Sequence, residues 1–456
     1  AHAEREESKK CVKIKNILSL DNNDIILYCQ NKSELRESDR CLLSDEKGPI
    51  YGECLEVFIK DVSSQNITVR PRAKIGFTPQ YLDIHEVETL FERNYSAIYE
   101  LLNNPNLSKL KSVLFFDYEP NENAPSENKL LSNGFKLKGN QKKAVELSNG
   151  ISDFLLLQGP PGTGKTSTIA KIVENLYQDN KSIIIGCYTH RAIDEVIRKM
   201  GEICPDVNII KIGPINETDP NKTLSGLIEK ETNLKEKIKK AQKIIASKPL
   251  FIGTTHSWLS GNFGSLIIDG RCDVGIIDEA SQVLLPNLIG VLRLVKKFIL
   301  VGDHKQLPPV VQSKDAEDLK RTLFEELFER DYKQNNIKVL LDVQYRMPSV
   351  ISNFISNEFY NGQLTTSPSA ERRFLEMDIE ENHPIFNIIN PEMPLTLVNV
   401  KSKMKSIIPR TSSEEAEVVL EILTALFELK VSPDDVGIIA PFRAQVAEIR
   451  RKIESN

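Results

Sequence analysis

The run Gly159-Pro160-Pro161-Gly162-Thr163-Gly164-Lys165-Thr166, followed by Ser167, matches G-x-x-x-x-G-K-[ST] directly after the apolar stretch Phe154 to Leu157. Glycines at these positions let backbone N–H groups converge on the β- and γ-phosphates of a nucleotide at a helix N-terminus. Lys165 adds a point positive charge, and the Thr166 hydroxyl suits one Mg²⁺ coordination position. A second signal is Ile276-Ile277-Asp278-Glu279-Ala280-Ser281-Gln282, where an apolar strand delivers two carboxylates at its C-terminal end. An isolated Asp-Glu pair is usually a solvated turn. Downstream of a phosphate loop it predicts Asp278 on Mg²⁺ and Glu279 orienting the water that attacks a phosphoanhydride. A third strand, Phe298 to Val301, ends in Gly302-Asp303-His304-Lys305-Gln306-Leu307-Pro308-Pro309.

These groups need a scaffold that brings strand ends together. After about residue 137 short apolar strands alternate with helices: Phe154 to Leu157, Ile183 to Ile185, Val207 to Ile212, Leu250 to Ile252, Val274 to Ile277 and Phe298 to Val301. That pattern predicts a parallel sheet covered on both faces. Residues 214–248 interrupt it with a Lys- and Glu-rich stretch in which Leu227, Glu231, Leu234, Ile238, Ala241 and Ile245 keep a heptad-like spacing. An amphipathic insert helix is expected there in preference to an oligomerising coiled coil. A second α/β block begins near Ile337 and includes Val436 to Ala440 as another buried strand.

Ahead of these blocks, Val12 to Leu20, Ile25 to Gln30, Tyr51 to Lys60 and Ile67 to Arg70 read as strands of a small β-barrel. Val87, Leu90, Phe91, Tyr95, Ile98, Leu101 and Leu102 then follow helical spacing in a stalk broken at Asn103-Asn104-Pro105. Residues 119–134 read as a linker by composition. The expected division is 1–83 barrel, 84–136 stalk and linker, 137–336 first α/β domain and 337–456 second α/β domain.

Composition narrows the function. The chain has 456 residues, 40% hydrophobic and 27% charged, with a net charge of -5, so any nucleic-acid site is a local groove and not a polybasic surface. No apolar stretch reaches the ~18 residues of a membrane span, and the first ten residues are not signal-like, which argues against membrane insertion and secretion. The 7 cysteines, Cys11, Cys29, Cys41, Cys54, Cys187, Cys204 and Cys272, lack any C-x-x-C pair and read as reduced thiols of a cytosolic or nuclear protein. A metal site among the first four is disfavoured against buried free cysteines.

Taken together and in order, the loop Gly159 to Thr166, the box Asp278-Glu279-Ala280-Ser281, Gly302-Asp303-x-x-Gln306-Leu307-Pro308-Pro309 and Gln344-Tyr345-Arg346-Met347 resemble superfamily 1 helicases of the 5′-to-3′ branch. Tyr188-Thr189-His190-x-Ala192-Ile193-Asp194 and Val343-Gln344-Tyr345-Arg346-Met347 most resemble the nuclease-helicase of Okazaki-fragment maturation, with the nonsense-mediated-decay RNA helicase group next. The resemblance implies two RecA-like domains in tandem, the second incomplete, and ATP with Mg²⁺ as cofactors. It implies catalytic roles for Lys165, Glu279, Gln306 and Arg346, the last as an arginine finger reaching across the cleft. Gln141 would read the adenine edge and Tyr345 stack on its face. Thr189, His190, Thr254 and Thr255 correspond to positions that touch the nucleic-acid backbone. A Thr or His ending a strand is otherwise a helix cap or packed turn residue.

The implied activity is an ATP-driven 5′-to-3′ translocase and helicase on single-stranded DNA, a monomeric motor working with replication or repair proteins and not with membranes. An RNA helicase of the same branch, or a nucleic-acid-binding fragment without turnover, are the alternatives. Trp258 and Tyr188 could stack on bases or belong to the core, and Lys9, Lys10, Lys13 and Lys15 could line a single-strand channel or a solvated strand edge. Lys138 stands where the adenine motif usually has Asn, and Arg191 and Glu195 also depart from the closest family pattern. The last two family motifs are not found after Ala440-Pro441-Phe442-Arg443-Ala444-Gln445, so the chain is expected to be a fragment.

Overall fold

The computed structural model describes residues 11–19, 24–29, 35, 40–47, 52–63, 65–84, 88–125, 137–212, 227, 231, 233–247, 250–258, 272–311, 314–371, 379–381, 383–401 and 410–455. The chain divides into two compact units, residues 1–92 and 93–456.

The first unit is a closed antiparallel barrel of β1 (Cys11–Ser19), β2 (Ile25–Cys29), β3 (Arg40–Ser44), β4 (Cys54–Val62), β5 (Asn66–Pro71) and β6 (Tyr81–Ile84), in the order β1-β2-β5-β4-β3-β6. Closure pairs every edge, and alternate residues such as Leu27, Leu43, Val57, Ile59, Ile67, Val69 and Leu82 fill the interior. Sequence patterning missed β3 and β6, which are short and owe their extended form to cross-strand pairing with β4 and β1. Lys13 and Lys15 are exposed on β1, which pairs with β2 and β6, so neither lies on a free strand edge; Lys9 and Lys10 lie outside the described residues. Cys11, Cys29 and Cys41 are buried, whereas Cys54 is exposed at the start of its strand.

The second unit opens with α1 (Glu88–Asn103), most of which it contains, and α2 (Ser108–Phe115), separated by a 3₁₀ turn at Pro105–Leu107 that Asn104 caps. Pro105 lacks the N–H a continuous helix would need, which explains the break. Ala97 and Leu101 are buried, but Tyr95 and Leu102 of the expected apolar stripe are exposed. Val87 and the side chains of Leu90 and Phe91 lie outside the described residues. Residues 119–125 are pinned to the sheet: Asn123 is buried and donates to the Phe154 carbonyl (2.9 Å) and the Asn336 carbonyl (3.0 Å). The asparagines that read as linker signals are here hydrogen-bonding groups.

The central layer is a parallel sheet of seven strands: β7 (Phe154–Gln158), β8 (Ile183–Cys187), β9 (Ile209–Ile212), β10 (Leu250–Thr254), β11 (Cys272–Ile277), β12 (Val295–Gly302) and β13 (Lys338–Leu340). Its order is β13-β7-β12-β11-β8-β10-β9. β7, β8 and β10 are buried at every position, as a sheet covered on both faces requires. The covering helices include α3 (Asn140–Asn149), α4 (Lys165–Gln178), α5 (His190–Ile203), α6 (Leu234–Ala246), α7 (Thr255–Trp258), α8 (Leu285–Leu292) and α9 (Leu323–Glu329). α6 is the described helix of the insert, with Ala241 buried and Lys240 paired to Glu231 at 2.7 Å. Because β13 pairs with β7, the first sheet extends past residue 336.

The second block contributes β14 (Val343–Gln344) and β15 (Thr365–Thr366), paired in parallel, with α10 (Ser349–Phe359), α11 (Pro368–Glu371), α12 (Ser413–Glu428) and α13 (Arg443–Glu454). This is the second of the two RecA-like blocks. Val436 to Ala440 is not a buried strand: Ile438 is exposed and Ile439 is 95% exposed. A run of this kind becomes a strand only between hydrogen-bonding neighbours, and among the described residues none lies beside it.

Candidate nucleotide-hydrolysis site

Parallel strands leave their C-terminal ends on one edge of the sheet, and the predicted motifs converge there. The phosphate loop leaves β7 and enters α4 through Gly162 (φ +78°) and Gly164 (φ +79°), both left-handed and adopted without strain by glycine. A Cβ on Gly162 would lie 2.5 Å from Cβ of Arg346, and one on Gly164 would lie 2.7 Å from Nε2 of Gln141. The loop is held from several sides. Gly159 N–H donates to the Gly302 carbonyl (2.9 Å), the Thr163 hydroxyl to the Pro160 carbonyl (2.7 Å), and Tyr345 N–H to the Gly162 carbonyl (2.8 Å).

Asp278 and Glu279 follow β11 in a turn where Glu279 takes φ +53°. Lys165 Nζ lies 3.1 Å from Glu279 Oε1. Burial pushes the Asp278 carboxyl up to about 6, helped by the adjacent Glu279 and opposed by Lys165. Two adjacent carboxylates thus share one nearby cation, a surplus of negative charge that a divalent metal would relieve. Thr166 lines the same cavity as Glu279, and this donor set fits Mg²⁺, which binds through one or two protein oxygens and takes the rest from phosphates and water.

Lys165, Thr166, Ser167, Glu279, Gln306, Tyr345 and Arg346 all line one cavity of about 450 Å³, together with Pro160 to Gly164 of the loop. Arg346 arrives from the turn after β14, where its N–H and that of Met347 both donate to Gln344 Oε1 at 2.8 Å. Gln344 is fully buried, and its amide nitrogen reaches the Met347 carbonyl (2.6 Å) and Thr366 Oγ1 (3.1 Å). Gln306 is held by Asp303, to which its Nε2 donates at 2.8 Å. Glu195 and Lys199 of α5 also line the cavity, which sequence could reveal only as an i, i+4 pair on one helix face.

Three predicted nucleotide-site residues stand behind the cavity wall. Gly159 lies against the Lys165 side chain, and Asp278 is buried in the turn ahead of Glu279. Gln141 uses its amide locally, donating to the Thr163 carbonyl (2.9 Å) and accepting from Lys138 N–H (3.2 Å), so in this structure it braces the loop. Tyr345 lines the cavity, and Lys138 Nζ lies 5.8 Å from its ring centre.

The four predicted nucleic-acid contacts lie at the ends of β8 and β10 and divide into two pairs. Thr189 and His190 are exposed, and Thr189 also caps α5 by accepting from Ala192 N–H at 3.2 Å. Thr254 and Thr255 are buried, so their side chains are not presented to a phosphate track in this conformation. Trp258 explains part of this: it is fully buried, its N–H shared between the Ile185 (3.2 Å) and Gly253 (3.3 Å) carbonyls, and it belongs to the core. Tyr188 remains exposed.

Two protein-family models, each described as an AAA domain, match residues 136–249 with 216–314 and residues 319–456. The first pair spans the phosphate loop, the carboxylate box and Gln306; the second spans Tyr345 and Arg346. The chain belongs to the superfamily 1 helicases. It is 26% identical to the DNA replication ATP-dependent helicase/nuclease DNA2 of Xenopus laevis, over 99% of this chain and 46% of that protein. It is 29% identical to the DNA polymerase alpha-associated DNA helicase A of Schizosaccharomyces pombe, over 70% of this chain and 54% of that protein. A crystal structure of the arterivirus nonstructural protein 10 helicase aligns over 78% of this chain and 58% of that one at 12% identity, with a TM-score of 0.38. The chain thus spans about half the length of these two curated relatives.

Proposed function

We propose that this chain is an ATP-dependent motor that translocates 5′ to 3′ on single-stranded DNA and unwinds duplex ahead of it, in replication or repair inside the cell. The observation that carries the reading is the single cavity that gathers Lys165, Glu279, Gln306 and Arg346 from sequence-distant segments. In this reading the β- and γ-phosphates settle on the loop N–H groups and take Lys165 from Glu279. The freed Glu279 carboxylate then orients and polarises the attacking water. Mg²⁺, held by Thr166 and Asp278, would neutralise charge on the phosphate oxygens. Arg346 stabilises the charge that develops in the transition state, and Gln306 orients the water. Tyr345 offers its face to the adenine. The printed names of the matched relatives, a replication helicase/nuclease and a polymerase-associated DNA helicase, favour DNA as the track. Among the described residues no helix is long and apolar enough to cross a membrane.

The test is steady-state ATP hydrolysis with no nucleic acid, with single-stranded DNA and with RNA of the same sequence. Strong DNA-selective stimulation is expected, followed by unwinding of duplexes with a 5′ tail in preference to a 3′ tail. Equal stimulation by RNA would reassign the track, and ATP binding without turnover would reduce the chain to a binding module.

A further inference from the structure

Asp303 follows β12 and is 1% exposed. Its carboxylate accepts from donors on three segments. Oδ1 takes Gln158 Nε2 from the end of β7 (3.1 Å) and the Lys305 N–H (3.3 Å), while Oδ2 takes Gln306 Nε2 (2.8 Å) and the Tyr360 hydroxyl (2.5 Å). An ionised carboxylate has about four acceptor sites, and these donors fill them. Its own backbone N–H donates to Ser281 Oγ at 2.9 Å, just after the Asp278-Glu279 pair.

The direction of each bond matters. A carboxylate can only accept, so the Gln306 end that faces Asp303 must be the amide nitrogen. Because Gln306 lines the cavity, its oxygen is left as the end that can accept a hydrogen bond from a water at the γ-phosphate. If Asp303 turned, the amide could present either end. The second donor on the oxygen that takes Gln306 is Tyr360, buried at the C-terminus of α10. Burial and the bond to Asp303 both push the Tyr360 hydroxyl well above its usual range, so it remains a donor at any working pH. α10 begins just after Arg346, so the segment that delivers the arginine finger also delivers Tyr360.

We infer that Tyr360 is a positioning residue for ATP hydrolysis, its hydroxyl fixing the Asp303 carboxylate and thereby the polarity of the Gln306 amide. The inference rests on the hydrolytic reading above. It assigns a role to a tyrosine outside the motifs that carry the family resemblance, and it joins Gln306 to the segment bearing Arg346. Arrival of that segment and orientation of the water-binding amide become one event.

The experiment uses the whole chain with saturating single-stranded DNA, and rates are normalised to nucleotide sites titrated with a fluorescent ATP analogue, so only folded molecules are counted. Tyr360→Phe, which removes only the hydroxyl, is expected to lower kcat about tenfold while KM for ATP stays within about twofold. In a Gln306→Ala background the same substitution should change kcat by less than about twofold, because its effect passes through Gln306. A purely structural tyrosine would cost the same factor in both backgrounds, and that result, or an unchanged kcat in the single variant, would overturn the inference. Asp303→Asn breaks the same chain one link on and should lower kcat at least as far with KM unchanged. An unaltered kcat there would overturn the inference even if Tyr360→Phe did not fold. Absence of turnover by the unsubstituted chain would instead sink the hydrolytic reading, and this inference with it.

Discussion

At the residue scale, Lys165 and Glu279 touch each other at 3.1 Å, and the hydrolytic reading proposed above gives them separable tasks, one in binding and one in chemistry. Lys165→Ala should weaken nucleotide affinity itself, by on the order of tenfold or more for a lost phosphate charge pair, measured by titration with a fluorescent analogue. Glu279→Gln should keep that affinity and lose about 10²–10³ in kcat, because it removes water activation and leaves the phosphate cradle intact. Turnover surviving in Glu279→Gln would reassign the base. Gly162 makes a different kind of demand, since its left-handed backbone and its approach to Arg346 both exclude a side chain. Gly162→Ala carries a backbone cost of about 1–2 kcal/mol and must displace Arg346 or the loop. Turnover should fall together with analogue affinity, whereas a wild-type rate would mean that Arg346 does not need its present place.

Elements place these residues through their ends. Thr189 exemplifies a local device, its hydroxyl capping α5 just beyond β8. Thr189→Ala should lower the unfolding free energy by about 1 kcal/mol and Thr189→Asn should restore it; identical melting of the two variants would show that the cap is idle. At the opposite end of the sheet Asp273 ties β11 to its neighbours, accepting from Ser182 N–H (3.0 Å), the Ser182 hydroxyl (2.9 Å) and Lys296 Nζ (2.9 Å). Burial alone would raise this carboxyl, but the Ser182 bonds and Lys296 outweigh it and hold it at about 2. A depressed folded value means that Asp273 stabilises the fold above the unfolded carboxylate range near 3.9 and that this stability is lost as pH falls toward 2. Solvent screening of a part-exposed group reduces the contribution to about 1 kcal/mol. Urea unfolding of the unsubstituted chain and Asp273→Asn should therefore differ at pH 5.5 and converge toward pH 3, and a gap that widened on acidification would contradict the assignment.

For the whole molecule, the decisive feature is that the barrel and the α/β layer have separate apolar cores. Calorimetry should accordingly resolve two unfolding steps. A non-hydrolysable ATP analogue at about 100 times its Kd should stabilise only the step of residues 93–456, by about 2.7 kcal/mol. A single transition that shifts as a whole would mean the two cores unfold together.

Local spacing alone pointed to Lys165, Thr166, Asp278 and Glu279, because a phosphate site needs such side chains at strand ends, whereas Gln306 and Arg346 were implied only by the resemblance to superfamily 1 helicases. The sequence was enough too for the alternation that builds β7, β8, β10, β11 and β12, since strands buried on both faces must be apolar throughout. Pairing and burial were decided elsewhere. β3 and β6 are extended because neighbours bond to them, and Val436 to Ala440 is no strand because, among the described residues, none bonds to it. Thr254 and Thr255, which correspond to family positions that touch the nucleic-acid backbone, are buried in the fold, and Tyr360 reaches Asp303 from 57 residues away. Local patterns encode what a segment can become; which donor meets which acceptor depends on contacts between segments far apart in the chain, and those exist only once the tertiary structure has formed.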